Sequence, residues 1–253
     1  MFIYWRVVHC FRMGKVNRIM KIATWNLGRF AYCKTQNDIA EIYSIIKNSD
    51  ADIFVLTELP ADFKFPFNYF AVKSTELSGL YEFANYKQGE CRVSIYSKNQ
   101  IKKIIPTYDW SSAICIQTEI ENKLITVYGS IIGQKGNVGI GANNLLEQDL
   151  NNQSKDWQNL IDEEYLFICG DFNQSFNSFP SFSKKMRNQF LNIFDELKLE
   201  LLTTEGEIDH IATKKEIAKN HKTNFLIWNN EPYLVKNRKL SDHSGVMITL
   251  EEI

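Results

Sequence analysis

Polar side chains stand at the ends of several apolar stretches of this 253-residue chain. They are Asn26, Glu58, Tyr128, Asp171, Asn173, Asp209, Asp242 and His243. In sheet-based enzymes, catalytic groups commonly lie at strand ends and on the loops just beyond them. Carboxylates that meet at one rim repel each other, and a hard divalent cation such as Mg²⁺ or Mn²⁺ relieves that repulsion through oxygen ligands. A histidine in the same cluster can handle a proton or hold a phosphate oxygen.

Each of these motifs has an ordinary structural explanation when it is taken alone. The Gly-Asp-Phe-Asn sequence at 170–173 is often a turn in which Asp and Asn bond their own backbone. Ser-Asp-His at 241–243 can be a cap followed by a surface histidine, and Glu58 can be a solvated strand end. The combination of all of them, in this order, is far more specific than any single one.

Hydrophobic patterning predicts the elements that position these residues. Nearly continuous apolar runs at 52–58 and 165–169 are typical of strands buried on both faces. Isoleucines at helical spacing predict a helix from Asp38 to Asn48, with Asp38 and Glu41 as a capping pair. Further strands are predicted at 21–27, 92–97, 113–120, 124–132, 208–213, 225–228 and 246–250, with another ending at Thr203 or Thr204, and further helices at 142–162 and 184–199.

Strands outnumber helices in this prediction, and hairpins are mixed with helical crossovers. A purely parallel, doubly wound sheet would alternate more strictly. We therefore expect an α/β (α+β) fold in which two mixed β-sheets pack face to face, with helices on both outer sides. The sequence contains no repeat and no Pro/Gly linker, so residues 21–253 form a single predicted domain.

Residues 1–20 are predicted to be an N-terminal extension outside that domain. The segment is apolar and basic, and no acidic residue precedes Asp38. Two interpretations stay open, a loose extension upstream of a second start at Met20 and a basic arm for a polyanionic partner. A secretory signal is not indicated, because its charges would precede the apolar stretch.

Composition narrows the functional class. The formal net charge of -1 and the pI of about 6.4 argue against a dedicated nucleic-acid-binding module, but metal ions and local basic residues still allow a nuclease. The five cysteines form no CxxC pair, so neither a disulfide framework nor a zinc site is expected. No apolar run approaches the roughly 20 residues that span a bilayer. We expect a soluble, cytoplasmic protein that acts as a monomer.

Six short motifs together resemble the endonuclease/exonuclease/phosphatase superfamily, in particular its deoxyribonuclease-like and apurinic endonuclease-like members. They are TWN at 24–26, LTE at 56–58, VYGS at 127–130, GDFN at 170–173, IDHI at 208–211 and SDH at 241–243. The resemblance extends over nearly the whole chain. It implies a four-layer α/β sandwich and Mg²⁺-dependent hydrolysis of phosphate esters, with Mn²⁺ as a substitute metal.

The resemblance also implies a metal site and a set of catalytic groups. Glu58 would be the principal Mg²⁺ ligand, supported by Asn26, and Asp242 would complete the metal and histidine environment. Asp171 would orient or deprotonate the attacking water, and Asn173 would donate to phosphate oxygens. Asp209 would fix the tautomer of His243, which would contact the phosphate or transfer a proton. Tyr128 would also contact the phosphate.

Three positions depart from the pattern of the nuclease relatives. Those relatives often carry an acidic residue where this chain has Gly28, which favours a single-metal site. Apurinic endonucleases carry a phosphate-contacting asparagine where this chain has Ile131, which argues against an abasic-site specialist. His210 should point away from the site by strand alternation and is interpreted as structural or solvent-facing.

The leading functional hypothesis is a nuclease that acts on DNA or RNA. The basic residues Lys236, Arg238 and Lys239 precede the histidine motif closely enough to contact substrate phosphates, whereas Lys214 and Lys215 are expected to be solvated. A phosphatase or phosphodiesterase of inositol phosphates, phospholipid headgroups or another small ester is the main alternative. A catalytically inactive binding protein of the same fold is the second alternative. A phenylalanine-rich segment, Phe63 to Phe70, is the best candidate for a membrane-docking hairpin but is expected to pack on the core.

Overall fold

The computed structural model describes residues 19–28, 35–75, 89–133, 142–177, 183–204, 208–228 and 240–253. The strands are β1 (Ile19–Asn26), β2 (Ile53–Pro60), β3 (Phe70–Lys73), β4 (Glu90–Ser97), β5 (Ile101–Ile105), β6 (Ala113–Ile120), β7 (Lys123–Ile131), β8 (Tyr165–Asp171), β9 (Leu199–Leu201), β10 (Asp209–Lys214), β11 (His221–Ile227) and β12 (Val246–Glu252). The helices are α1 (Gln36–Ser49), α2 (Ala142–Leu160), α3 (Lys184–Glu196) and α4 (Lys215–Asn220).

These strands form two six-stranded sheets. The first sheet has the order β11-β12-β1-β2-β4-β3, and the second has the order β5-β6-β7-β8-β10-β9. In each sheet one central pair is parallel, β1 with β2 and β7 with β8, and the other neighbours are antiparallel. Both sheets are therefore mixed, as the sequence predicted.

The main core lies between the sheets and consists largely of β-branched residues. Ile22 and Val55 of the first sheet belong to the same buried cluster as Val127 and Phe167 of the second. Each of these four side chains is at most 1% exposed. Branched side chains suit the pleated surface of a strand, which explains why they dominate this layer.

Helices cover the outer faces of both sheets. On the first sheet, Ile42 of α1 packs in one cluster with Trp25 and Phe54. On the second sheet, Trp157 of α2 and Phe190 of α3 share a cluster that fills the space beneath those helices. The result is a helix–sheet–sheet–helix sandwich, and the predicted four-layer architecture is confirmed.

The parallel pairs bring the polar strand ends to one end of the sandwich. Helix α1 connects β1 to β2, and helix α2 connects β7 to β8, so β1 and β8 end in Asn26 and Asp171 at the same edge. Strand β10 runs antiparallel to β8 and begins there, with Asp209 opposite Asp171. Strand β12 runs antiparallel to β1, so the turn that carries His243 also reaches this edge.

Several local details differ from the sequence prediction. Strand β1 begins at Ile19, which pairs with Glu251, so the first sheet includes two residues assigned to the extension. The cap of α1 is Thr35, which bonds reciprocally with Asp38, and not an Asp38–Glu41 pair. Strands β3 and β5 and helix α4 were not predicted.

The phenylalanine-rich segment packs on the first sheet, as expected. Phe63 is only 6% exposed, and Phe65 stacks on Tyr96 with ring centroids 4.2 Å apart, whereas Phe70 is 48% exposed. Among the residues described above, no helix is long and apolar enough to cross a membrane.

Candidate active site

Asn26, at the end of β1, connects the two sheets. Its side chain is fully buried, and Nδ2 donates to Asp171 Oδ2 at 3.0 Å. Its backbone N–H donates to Asp209 Oδ1 at 2.8 Å. Its Oδ1 accepts the N–H of Gly28 at 2.8 Å, which fixes the orientation of the amide because a backbone N–H can only donate. Gly28 has φ 57°, a left-handed conformation that glycine adopts without steric penalty.

Asp171 is a buried carboxylate surrounded by donors. Its Oδ1 accepts the backbone N–H of Asn173 at 2.8 Å, and its Oδ2 accepts the side-chain amides of Asn173 and Asn26 at 3.2 and 3.0 Å. Burial raises the pKa of Asp171 to about 6, His243 opposes this rise, and the neighbouring charge of Asp209 reinforces it. Asp171 is therefore poised to exchange a proton near neutral pH.

Asp209 and His243 form a buried pair. The Nδ1 of His243 lies 2.7 Å from Asp209 Oδ2, and its Nε2 lies 4.0 Å from Asp171 Oδ2. Burial alone would lower the pKa of His243, but the charges of Asp171 and Asp209 and the bond to Asp209 raise it to about 10. Burial raises the pKa of Asp209, against the lowering effect of His243. His243 consequently carries a proton on Nδ1 and a second one on Nε2 at neutral pH.

Two site residues adopt a left-handed backbone that non-glycine residues rarely use. Glu58 has φ 58° and Asn173 has φ 49°. Such a conformation costs on the order of 1–3 kcal/mol and persists only where the surrounding structure enforces it. Glu58 is partly exposed, and its charge is among those that raise the pKa of Asp209, so the carboxylate lies close to the buried cluster.

Asp242 is exposed, in contrast to the buried Asp171 and Asp209. Its neighbour Ser241 holds the turn: Ser241 Oγ donates to the carbonyl of Asn26 at 2.8 Å and accepts the backbone N–H of His243 at 3.2 Å. The indole N–H of Trp25 donates to the carbonyl of His243 at 3.2 Å. Asp242 thus stands at the open side of the cluster, while its two neighbours in sequence are anchored inside.

The sequence between residues 23 and 243 matches the model of the endonuclease/exonuclease/phosphatase family. The chain belongs to this family. The match includes every motif from TWN to SDH, and members of the family are divalent-metal-dependent hydrolases of phosphate esters. The protein is therefore a phosphoester hydrolase.

Solved structures share the fold at low sequence identity. An AP endonuclease from Archaeoglobus fulgidus is similar with a TM-score of 0.69 and 17% identity, over 90% of this chain and 98% of that one. The 3′ phosphatase NExo from Neisseria, bound to a product DNA hairpin, has a TM-score of 0.67 and 16% identity, over 92% and 99% of the two chains. The endonuclease domain of TRAS1, a telomere-specific non-LTR retrotransposon, has a TM-score of 0.64 and 15% identity, over 93% and 99%. No curated protein sequence matches significantly.

Tyr128 is not part of the cluster, although the family resemblance suggested a phosphate contact. Its hydroxyl donates to Asp156 Oδ2 at 2.8 Å, and its ring packs edge-on against Trp157 beneath α2. The register explains the discrepancy: Ile131 pairs with Asp171 and shares its face, so Tyr128, three residues earlier, faces the helical layer. The suggested phosphate contact of Tyr128 is corrected accordingly.

His210, Lys214 and Lys215 lie away from the cluster. His210 is fully buried away from the site, as expected, and its ring nitrogens face the carbonyls of Thr203 and Gln174 at 3.0 Å each. Burial lowers its pKa to about 4, so the ring is neutral and has one N–H to donate. Donation from Nε2 to the Gln174 carbonyl leaves Nδ1 to accept the Thr203 hydroxyl at 3.3 Å, and the residue is structural rather than solvent-facing. Lys214 and Lys215 lie at the opposite end of β10 from Asp209. The predicted phosphate contacts Lys236, Arg238 and Lys239 lie outside the described residues.

Sequence reasoning assigned no role to two residues that organise the site. Ser241 and Trp25 belong to the quoted motifs, yet the sequence does not indicate that both hold the backbone of the His243 turn. A serine two positions before the histidine is a recognisable signal for a turn in which the side chain accepts a backbone N–H. The indole contact has no such local signature, because Trp25 and His243 are 218 residues apart.

Proposed function

We propose that this protein is a Mg²⁺-dependent phosphodiesterase that cleaves nucleic acid, with DNA as the first substrate to test and RNA as the second. The observation that carries the proposal is the buried cluster in which Asn26 of one sheet bonds Asp171 and Asp209 of the other, with His243 between the two carboxylates. A candidate proton acceptor, Asp171, and a candidate proton donor, His243 Nε2, thus lie 4.0 Å apart in a phosphoester hydrolase fold.

The residues present fit a divalent cation. The ligand atoms of Asp171, Asp209 and His243 lie within 4.8 Å of one another. However, Asp209 already uses Oδ1 for Asn26 and Oδ2 for His243, so this carboxylate is a poor candidate for a ligand. The partly exposed Glu58 and the exposed Asp242 are better placed, and their hard oxygens suit Mg²⁺ or Mn²⁺. Glu58 would be the principal ligand, with Asp242 and the Oδ1 of Asn26 in support.

When bound, the cation neutralises phosphate charge and polarises the phosphoryl oxygen. The chain itself provides the proton acceptor. Asp171, with its raised pKa of about 6, can accept a hydrogen bond from water and then its proton. The donors from Asn26 and Asn173 fix the carboxylate, so that little reorganisation is needed when water attacks.

His243 provides the opposite function. Its Nε2–H is directed into the same space as Asp171, and its Nδ1–H is held by Asp209. A protonated imidazole in that position can bind a phosphate oxygen and donate a proton to the departing oxygen. Asp209 fixes the ring and keeps it charged. The Asn173 amide donates to Asp171 and to the Ile132 carbonyl, and it would exchange one of these bonds to donate to the phosphate.

Nucleic acid is favoured as the substrate by two observations. Solved structures with this fold include two endonucleases and a 3′ phosphatase bound to product DNA. The basic residues Lys236, Arg238 and Lys239 directly precede the SDH motif, and we propose that they contact phosphates of the strand. We further propose that the protein works in the cytoplasm, since Cys91, Cys115 and Cys169 are buried free thiols. We also propose that it acts as a monomer.

A metal titration across several substrates tests the proposal. Plasmid DNA, single-stranded DNA, an abasic duplex, RNA and an inositol polyphosphate are incubated with Mg²⁺ or Mn²⁺ and the full-length protein. His243→Ala should abolish turnover, whereas the matched control His221→Ala, at the opposite end of the sandwich, should retain it. Phosphate release from the inositol polyphosphate alone would replace the nuclease proposal with a small-ester phosphatase. Turnover of DNA that persists without divalent metal would refute the mechanism.

A further inference from the structure

The Ile132–Gly133 dipeptide directly follows β7, and each of its backbone N–H and carbonyl groups makes a hydrogen bond. Ile132 N–H donates to the carbonyl of Asp171 at 2.8 Å, and its carbonyl accepts Asn173 Nδ2 at 3.2 Å. Gly133 N–H donates to Asp149 Oδ2 at 2.9 Å, and its carbonyl accepts an Nη of Arg92 at 3.2 Å. One half of the dipeptide therefore contacts the proposed catalytic groups, and the other half contacts two charged residues outside them.

Gly133 packs closely against helix α2. It has φ 69°, and a Cβ at this position would lie 2.6 Å from the Leu146 Cδ1 atom and 2.9 Å from its Cα. Side chains are excluded there both by conformation and by space, so helix α2 lies directly against the dipeptide. A displacement of Gly133 must therefore move Ile132 and the amide of Asn173 that bonds it.

Arg92 reaches this dipeptide from the other sheet. It lies on β4 between the residues that pair with Thr57 and Leu59, so it is opposite Glu58 in the ladder. The side chain is only 2% exposed, which is uncommon for arginine and expensive unless the charge is compensated. Its bond to Gly133 thus links β4, the strand paired with the one that carries Glu58, to the loop that supports Asn173.

Asp149 holds the same dipeptide from helix α2. Its Oδ2 accepts Gly133 N–H, and its Oδ1 accepts the hydroxyl of Tyr108 at 2.7 Å, so both oxygens have a defined partner. Tyr108 is thereby the residue that orients Asp149. A second acid on α2, Asp156, accepts the backbone N–H of Tyr108 and the Tyr128 hydroxyl but does not contact the dipeptide.

We propose that Arg92 and Asp149 are positioning residues, which act through the Ile132–Gly133 backbone to hold the Asn173 amide against Asp171, the proposed proton acceptor. The expected effect on kcat rests on the proposed function, whereas the expected effect on the position of Asn173 rests only on the hydrogen-bond geometry. Neither side chain is proposed to touch the substrate. Since an error of about 1 Å in a catalytic position can cost about 100-fold in rate, loss of either contact should lower kcat much more than it raises KM.

The experiment compares Arg92→Met, Arg92→Lys, Asp149→Ala and the control Glu147→Ala in the full-length protein. Glu147 lies on the same helix as Asp149 and pairs with Lys185. We expect kcat on the best nucleic-acid substrate to fall about 10- to 100-fold for Arg92→Met and Asp149→Ala, with KM within about 3-fold of wild type. Arg92→Lys should recover part of the rate, because an ammonium can still donate to the Gly133 carbonyl. Glu147→Ala should retain wild-type kcat. An equal loss of kcat in the Glu147 variant would overturn the proposal.

A double-mutant cycle separates positioning from general damage. In an Asn173→Ala background, Arg92→Met should lower kcat by less than about 3-fold, because the group on which it acts is already absent. The same fold-loss in both backgrounds would refute the proposal.

A second readout does not depend on turnover. The side-chain amide signals of Asn173, identified by their loss in Asn173→Ala, should shift in the ¹H–¹⁵N spectra of Arg92→Met and Asp149→Ala and stay in place in Glu147→Ala. Unchanged Asn173 signals would refute the link even in an active enzyme. A wild-type protein that cleaves no substrate would refute the proposed function, and the amide shifts would still decide the positioning role.

Discussion

The charge on Asp209 should determine whether His243 can act as an acid. The Asp209→Asn substitution keeps the shape of a fully buried residue but leaves one oxygen for two donors, Asn26 N–H and His243 Nδ1–H. If the amide oxygen of the substituted side chain keeps the bond to the Asn26 N–H, its NH₂ group faces Nδ1 of His243. The imidazole must then accept at Nδ1, so it becomes neutral and keeps a proton only on Nε2.

The size of the effect follows from the pKa of His243. The rise from 6.5 to about 10 corresponds to about 5 kcal/mol in favour of the protonated ring, with Asp209 acting both by charge and by hydrogen bond. The ring becomes neutral at pH 7 only if its pKa falls by more than about 3 units, which is a loss of about 4 kcal/mol. Loss of a general acid typically costs a factor of about 100 to 10,000, so we expect kcat to fall at least about 100-fold.

Two measurements check this prediction. Long-range ¹H–¹⁵N spectra of metal-free protein between pH 6 and 11 follow the His243 ring, whose signals are assigned by their absence in His243→Gln. Asp209→Asn should lower the pKa of His243, and kcat should fall in parallel, while Asp156→Asn on α2 leaves both unchanged. A wild-type His243 that titrates near 6.5, or an Asp209→Asn variant with unaltered pKa and kcat, would refute the reasoning.

Three further outcomes follow from the fold. Burial lowers the pKa of His210 to about 4, so below pH 6.5 the unfolded chain binds a proton that the folded chain does not. Between pH 6.5 and 4, the unfolding free energy measured in urea should fall by about 3 kcal/mol more for wild type than for His210→Gln. Equal losses in the two proteins would contradict this. Gly170→Ala would place a Cβ 1.8 Å from the Ser130 carbonyl and should cost more than about 4 kcal/mol, whereas Gly89→Ala, with open space around it, should cost about 1 kcal/mol of strain in the same denaturation assay. Tyr128→Phe should lower the unfolding free energy by about 1.5–3 kcal/mol through the lost bond to Asp156 without changing kcat, and a large drop in kcat would restore the phosphate contact.

The sequence was most informative where strands are buried on both faces. The runs at 52–58 and 165–169 correspond to the central strands β2 and β8, where nearly every side chain must be apolar. Edge strands carry no comparable pattern. Strand β5, IKKII, exposes its three central residues and β3 is only four residues long, so neither shows the apolar run or the alternation that identifies a strand.

Site residues were easier to nominate than to orient. The motifs named Asn26, Asp171 and His243, which the structure brings together, but the face on which Tyr128 lies depends on the register of β7 against β8. A shift of one residue reverses every side chain of a strand, and nothing local in VYGS fixes that register. The bonds from Gly133 to Arg92 and Asp149 are likewise tertiary contacts, 41 and 16 residues away along the chain.

The Asn26–Asp209 contact also bears on how the protein folds. It joins residues 183 positions apart, so no fragment that contains only one sheet can assemble the cluster. Contacts of such long sequence separation form late, because the chain must close a very large loop before they contribute. Recovery of hydrolytic activity during refolding should therefore lag behind the return of secondary structure and report the moment at which the two sheets dock.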